Sequence, residues 1–240
     1  LVDLFNQTCD RFNDQPAFTN FGVEVSFREL KSHSENLSSF LLNEFNLKKG
    51  DRVSIMMPNI LQYPISTFGI LESGLIIDNI NPLFTERELK AQLNDSGSET
   101  IIIAENFASN LQSILKDTSI KNILITSVGE FLGLKGIIIN FVLRRIRKMV
   151  PKYSLPNAVN FKDAINIGAK HKFKEQKIDK EDIAFLQYTG GTTGGVKAAI
   201  LSHRNVLANA IQVREWLGEN LKFGEDLAIC ALPLYHIFAL

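Results

Sequence analysis

The chain predicts an α/β fold of layered, mostly parallel β-sheets flanked by helices. Three observations predict it. Short apolar runs of strand length alternate with segments carrying apolar residues at helical spacing, which is the pattern of βαβ units. Two capping-box signatures, Ser26-Phe27-Arg28-Glu29 and Thr85-Glu86-Arg87-Glu88, mark helix starts between those runs. A stretch rich in glycine and threonine follows one apolar run directly, where a parallel sheet covered on both faces places its ligands.

The elements follow in order. Leu1 to Phe12 is apolar at helical spacing. The Ser26 box opens a helix to about Glu44. Arg52 to Met57 reads as a strand, and Asn59 to Glu72 as a helix with Pro64 in its early part, closed by Ser73-Gly74. Leu75-Ile76-Ile77 is the next strand. The Thr85 box opens a helix to about Leu93. Thr100 to Ala104 and Asn122 to Ile125 are short apolar strands, with a helix from Ala108 to Lys116 between them. Ile183 to Leu186 is a buried strand, and Ser202 to Leu207 starts a helix. No repeat or low-complexity tract stands out.

Composition bounds the function. Basic and acidic residues balance at 26 each, which argues against a general nucleic-acid surface. At 240 residues the chain can bury a sizeable core. Cys9 and Cys230 are far apart, so they give neither a disulfide framework nor a metal spacing. They suit a reducing, cytoplasmic compartment and read as ordinary buried small residues.

The chemistry concentrates in Tyr188, Thr189, Gly190, Gly191, Thr192, Thr193, Gly194, Gly195, Val196, Lys197, Ala198 and Ala199. Glycines let backbone N–H groups approach an anion closely. Threonine hydroxyls donate to phosphate oxygens, and Lys197 adds a positive charge. The bland alternative is a flexible turn between strand and helix. A Walker A loop is excluded, because it needs Gly before its Lys and Ser or Thr after it. Lys197 has Val196 before it and Ala198 after it.

Thr189 to Gly194, then Lys197, then Ser202-His203-Arg204-Asn205, resembles the signature loop of the adenylate-forming superfamily: acyl-CoA synthetases, luciferases and the adenylation domains of peptide synthetases. Leu232 to Leu240 resembles that superfamily's next motif, which lines the acyl pocket. Within it the wording is most similar to bacterial long-chain fatty-acid–CoA ligases, over Lys48 to Val53, Met57 to Pro64, Asn81 to Leu83, Gln92 to Gly97 and Leu186 to Tyr188. The likeness runs over nearly the whole chain. It departs at Ala198 and Val196, where many members carry Gly and Pro; the Ala198 methyl is expected to lower nucleotide affinity.

The resemblance implies much that spacing alone does not. Residues 188–199 would hold ATP, with Thr192 at Mg²⁺. His236 would be the catalytic residue where a carboxylate meets the α-phosphate, with Tyr235 beside it on the substrate. A long-chain fatty acid would become acyl-adenylate and then acyl-CoA, releasing pyrophosphate and AMP, with CoA as co-substrate. A homodimer is expected from relatives. Two other readings stay open: an enzyme that loads the acyl group onto a carrier protein, and a non-catalytic nucleotide-binding module. The chain starts at Leu1 without Met and stops at Leu240 inside an apolar block. Residues 1–240 are therefore expected to be an incomplete N-terminal adenylation domain, inactive alone and without the mobile C-terminal domain.

Residues 131–153 stand apart. They hold nine apolar aliphatic or aromatic residues from Leu132 to Ile146, the cations Lys135, Arg144, Arg145, Arg147, Lys148 and Lys152, and no acidic residue. The apolar stretch is too short to span a bilayer. It reads either as a helix lying in an anionic membrane interface, on the inner face of the cell membrane, or as a packed surface helix with solvated charges. Of the other histidines, His33 and His171 are expected to be exposed and His203 to be structural. Trp216 is expected to anchor the core or line an acyl tunnel.

Overall fold

The computed structural model describes residues 1–189 and 197–237. The chain opens with α1 (Val2–Arg11), β1 (Pro16–Asn20), β2 (Val23–Ser26) and α2 (Phe27–Asn43). β3 (Arg52–Met56), α3 (Gln62–Glu72), β4 (Ile76–Asn79), α4 (Glu86–Ser96), β5 (Thr100–Ala104), α5 (Ala108–Ile114) and β6 (Asn122–Thr126) then alternate. α6 (Gly133–Phe141), β7 (Val159–Asn160), α7 (Phe161–Gly168), β8 (Ile183–Thr189), β9 (Lys197–Ser202) and α8 (His203–Leu217) complete the order.

Seven strands form the main sheet, in the order β7-β6-β5-β3-β4-β8-β9. β3 to β8 are mutually parallel, and β9 closes the edge antiparallel to β8. The α/β class and the parallel sheet are as the sequence predicts.

Both faces are covered, and the strand period of two decides which side chain meets which layer. Val53, Ile55, Ile102 and Ala104 point into one core with Leu37, Phe40, Ile65 and Phe161 of α2, α3 and α7. Met56, Ile101 and Ile103 point into the other, with Leu89, Leu93 and Leu111 of α4 and α5. Burial on both sides is why these strands read as continuous apolar runs.

Both predicted capping boxes form: Ser26 with Glu29, and Thr85 with Glu88, each satisfying two free backbone N–H groups. A third, Ser202 with Asn205, starts α8. Gly97 ends α4 in the left-handed conformation, at φ 61°. α3 starts at Gln62 rather than Asn59, because Pro58 and Asn59 turn the chain first and Asn59 is used elsewhere.

Several elements lie outside the sequence prediction. β1 and β2 form a hairpin whose turn residues Phe21 and Gly22 both have positive φ, at 50° and 70°. β7, α7 and β9 were also not foreseen; α7 is capped by Asn160, whose side chain accepts from the N–H groups of Lys162 and Asp163. α7 packs so closely on α2 that a Cβ on Gly168 would lie 1.9 Å from the Asn36 carbonyl oxygen.

Three side chains, those of Cys230, Trp216 and His33, differ from expectation. Cys230 and Trp216 are exposed, whereas Cys9 is buried. His33 is half-buried, with its ring edge-on to Phe131, and burial lowers its pKa. His171 pairs with Glu44 at 2.7 Å. His203 is buried, in keeping with a structural role.

Candidate active site at the carboxyl ends of β3, β4 and β8

Three neighbouring strands each deliver an amide side chain to the carboxyl edge of the sheet. Asn59 lies just beyond β3, Asn79 ends β4, and Gln187 lies near the end of β8. The ladder aligns Asn79 with Ile55 on one side and Gln187 on the other. Asn79 Nδ2 donates to Gln187 Oε1 at 3.2 Å.

These amides hold the segment that carries Tyr235 and His236. Asn59 Nδ2 lies 3.0 Å from the Cys230 carbonyl and 2.8 Å from that of Leu232, and its Oδ1 accepts from the Leu234 N–H at 2.8 Å. Gln187 Nε2 donates to the Tyr235 carbonyl at 3.1 Å. The Tyr63 hydroxyl lies 2.8 Å from both Asn79 Oδ1 and the Leu234 carbonyl; its single proton serves one at a time. Tyr63 is buried, which pushes its pKa upward. His236 sits at the exposed end of a turn, its backbone N–H donating to the Pro233 carbonyl. Tyr235 is half-buried against the core.

β8 and β9 carry the two ends of the predicted phosphate loop. Thr189 pairs with Lys197, Tyr188 with Ala198, and Gln187 with Ala199. The residues between, Gly190, Gly191, Thr192, Thr193, Gly194, Gly195 and Val196, lie outside the described residues. The ladder brings Thr189 and the exposed Lys197 side by side at the mouth of that loop. Ala198 sits in regular extended pairing. The Tyr188 hydroxyl donates to Asp95 Oδ2 at 2.6 Å, tying β8 to the end of α4. Burial and the neighbouring Asp95 carboxylate raise the Tyr188 pKa.

Behind the amides lies a buried carboxyl. Asp78 accepts from Ser54 Oγ at 2.7 Å and Gln92 Nε2 at 2.6 Å, and Gln92 also donates to the Asn79 carbonyl. Burial pushes Asp78 up to about 6, against those hydrogen bonds. Asn59, Tyr63, Asp78, Asn79 and Gln187 were not foreseen as members of this cluster. Their signal was polarity at the ends of apolar runs, as in Ile76-Ile77-Asp78-Asn79.

Among the described residues no three His, Cys, Asp or Glu side chains stand together as a metal site. Thr192, the predicted Mg²⁺ ligand, is outside those residues.

A family profile described as AMP-binding enzyme matches residues 5–240. The chain belongs to the AMP-binding enzyme family. Among curated members, the long-chain-fatty-acid–CoA ligase of Salmonella typhimurium is 49% identical over 241 residues, which cover 100% of this chain and 43% of that protein. The ligase of the same name from Bacillus subtilis is 32% identical over the same shares. The chain thus spans 43% of the length of these relatives.

Solved structures share the fold. A long-chain-fatty-acid-CoA ligase from Archaeoglobus fulgidus superposes with a TM-score of 0.76 at 22% identity, over 99% of this chain and 43% of that one. ATP-bound MatB from Rhodopseudomonas palustris gives 0.75 at 20% identity, over 99% and 41%. The loop flanked by β8 and β9, and the segment tethered by Asn59 and Gln187, are therefore parts of an AMP-binding enzyme.

Proposed function

We propose that the protein activates a long-chain fatty acid with ATP and passes the acyl group to CoA. Residues 1–240 would form part of its adenylation domain. The observation that carries this reading is the tether between Gln187 and Tyr235. It joins the strand feeding the Thr/Gly loop to the segment carrying His236, so that phosphate-binding and carboxylate-binding elements share one edge of the sheet. The 49% identity to a protein named for that reaction supports it.

The chemistry follows from the groups. A carboxylate cannot acylate a thiol directly, because oxide is a poor leaving group. Attack of the fatty-acid carboxylate on the α-phosphorus of ATP expels pyrophosphate and installs AMP as a good leaving group. The CoA thiol then displaces AMP and forms the thioester. The protein's task is to hold the two reactants and to neutralise charge gathering on the departing phosphates. Loop N–H groups, the Thr189, Thr192 and Thr193 hydroxyls and Lys197 would supply that neutralisation, and His236 with Tyr235 would position the carboxylate. Mg²⁺ would arrive with ATP and take the Thr192 hydroxyl as its ligand, adding charge neutralisation when bound.

The protein would act as a cytoplasmic homodimer at the inner face of the membrane, meeting lipid through residues 131–153. The full-length protein, supplied with palmitate, ATP, Mg²⁺ and CoA, is expected to yield palmitoyl-CoA, AMP and pyrophosphate. Adenylate formation without thioester, converted to product only by an acyl carrier protein, would instead select the carrier-loading reading.

A further inference from the structure

Residues 133–149 form a docked element with an outward apolar stripe. Leu134, Ile137, Ile138 and Phe141 are each between 58% and 83% exposed. On α6 their spacing of three and four places them within an arc of about 100°. The opposite side of the helix holds it to the domain. Gly136 packs against Gly129 so tightly that a Cβ on Gly136 would lie 1.8 Å from the Gly129 carbonyl oxygen. Asn140 accepts from the Gly129 N–H at 2.8 Å and donates to Ser127 Oγ at 2.9 Å. Ile139 packs on the core. The stripe is therefore held rigidly outward.

The cations divide into two groups. After Phe141 the helix widens into a π-helical turn, Val142–Ile146. There Arg144 makes a forked contact with the buried Glu105, its Nε 2.9 Å from Oε1 and its Nη2 2.8 Å from Oε2. Arg144 is thus a fastening at the end of β5. Arg145, Arg147 and Lys148 face solvent, and Lys148 turns the chain out of the helix at φ 51°. A cavity of about 350 Å³, lined by Ile137, Asn140, Phe141, Arg144 and Arg145, runs beside the stripe. Its lining combines the apolar side chains of Ile137 and Phe141 with the guanidinium groups of Arg144 and Arg145.

We propose that α6 and the turn after it form an interfacial docking surface for an anionic phospholipid bilayer. Ile137, Ile138 and Phe141 would enter the acyl boundary, and Arg145, Arg147 and Lys148 would meet lipid phosphates. Charge complementarity selects this occupant: the exposed cations Arg145, Arg147 and Lys148 follow the stripe, with no acidic residue from Phe131 to Tyr153, which suits an acidic surface. No helix among the described residues is long and apolar enough to cross a membrane, so this surface would lie on the bilayer. The inference rests on the fatty-acid reading only for preferring a bilayer to another acidic surface.

The test is co-sedimentation of the full-length protein with phosphatidylcholine vesicles, with and without phosphatidylglycerol. Binding needs no turnover, so its failure and failure of the enzymatic reading are separable. Wild type should partition onto the anionic vesicles and dissociate as salt rises. Loss of each exposed cation should weaken partition about five-fold. The combined Arg145→Glu, Arg147→Glu and Lys148→Glu variant should therefore lose at least about a hundred-fold. Ile137→Ser with Phe141→Ser should reduce binding to both vesicle types. A matched Trp216→Ser variant, altering an exposed apolar residue elsewhere, should leave it unchanged. Absence of partition by wild type would overturn the proposal. So would equal binding by wild type and the charge-reversed variant, or loss of self-association in the Ile137/Phe141 variant with vesicle binding intact.

Discussion

Gln187 Nε2 donates to the backbone carbonyl of Tyr235 across 48 residues of sequence, at 3.1 Å. Gln187 stands two residues before Thr189, where the described part of β8 ends. One side chain thus joins the strand that leads into the proposed phosphate loop to the segment that carries His236.

Cutting this tether should affect substrate alignment more than folding. Gln187→Ala and Asn59→Ala each remove neutral hydrogen bonds worth about 1 kcal/mol apiece. Kinetics of fatty-acid-dependent adenylation in the full-length protein should show a several-fold higher KM for fatty acid. The KM for ATP should change less in Asn59→Ala, because the hydrogen bonds of Asn59 among the described residues go to Cys230, Leu232, Leu234 and Asn20. An equal rise in both constants would argue that Asn59 serves general stability.

Lys197 faces Thr189 across the ladder at the loop mouth, with its charge exposed. Lys197→Met should lower kcat for adenylation by about 10²-fold, the scale of losing one preorganised donor to developing charge. Stability should change by less than about 0.5 kcal/mol, as for an ordinary surface substitution. Full activity in that variant would remove Lys197 from the mechanism.

Capping boxes at Ser26 and Thr85 were legible because their chemistry is local: a hydroxyl and a carboxylate three residues apart satisfy N–H groups within one turn. The parallel strands were legible because burial on both faces leaves unbroken apolar runs. The Asn59 and Gln187 tethers were not, since their partners lie 171 and 48 residues away and a lone amide carries no periodic signal. β9 was hidden by Lys197-Ala198-Ala199, residues of weak strand propensity that pair because β8 offers an open edge. Trp216 misled for a related reason: its size suggests a core, but nothing among the described residues covers it.

Gly168 offers a test of the packing. A Cβ there would meet the Asn36 carbonyl at 1.9 Å, which is backbone and cannot rotate away. Gly168→Ala should therefore push α7 off α2 and cost about 1–3 kcal/mol, read as a lower midpoint in urea. A neutral substitution would show that the two helices separate freely.

Glu72 provides the pH prediction. It is buried at the end of α3, near Ser34, Glu35, Lys31 and Cys9, and burial pushes its carboxyl up to about 8 from 4.5. The native state therefore holds a proton that the unfolded state releases near pH 4.5. Stability from this group is full below about 4.5, declines as pH rises, and is lost once pH passes about 8. Glu72→Gln should stabilise the protein relative to wild type by an amount that grows from pH 5 to pH 8, on the order of a few kcal/mol. Denaturant melts across that range should show it; a gap independent of pH would contradict the assignment.

In the proposed reaction the β8–β9 loop and the Tyr235-His236 segment would together activate a carboxylate with ATP. Fatty-acid-dependent exchange of labelled pyrophosphate into ATP, measured on the full-length protein without CoA, tests it most directly. Exchange should appear with palmitate, require Mg²⁺, and fall sharply in Lys197→Met and His236→Ala. Absence of exchange with any fatty acid, by a folded wild-type protein that still binds ATP, would contradict it.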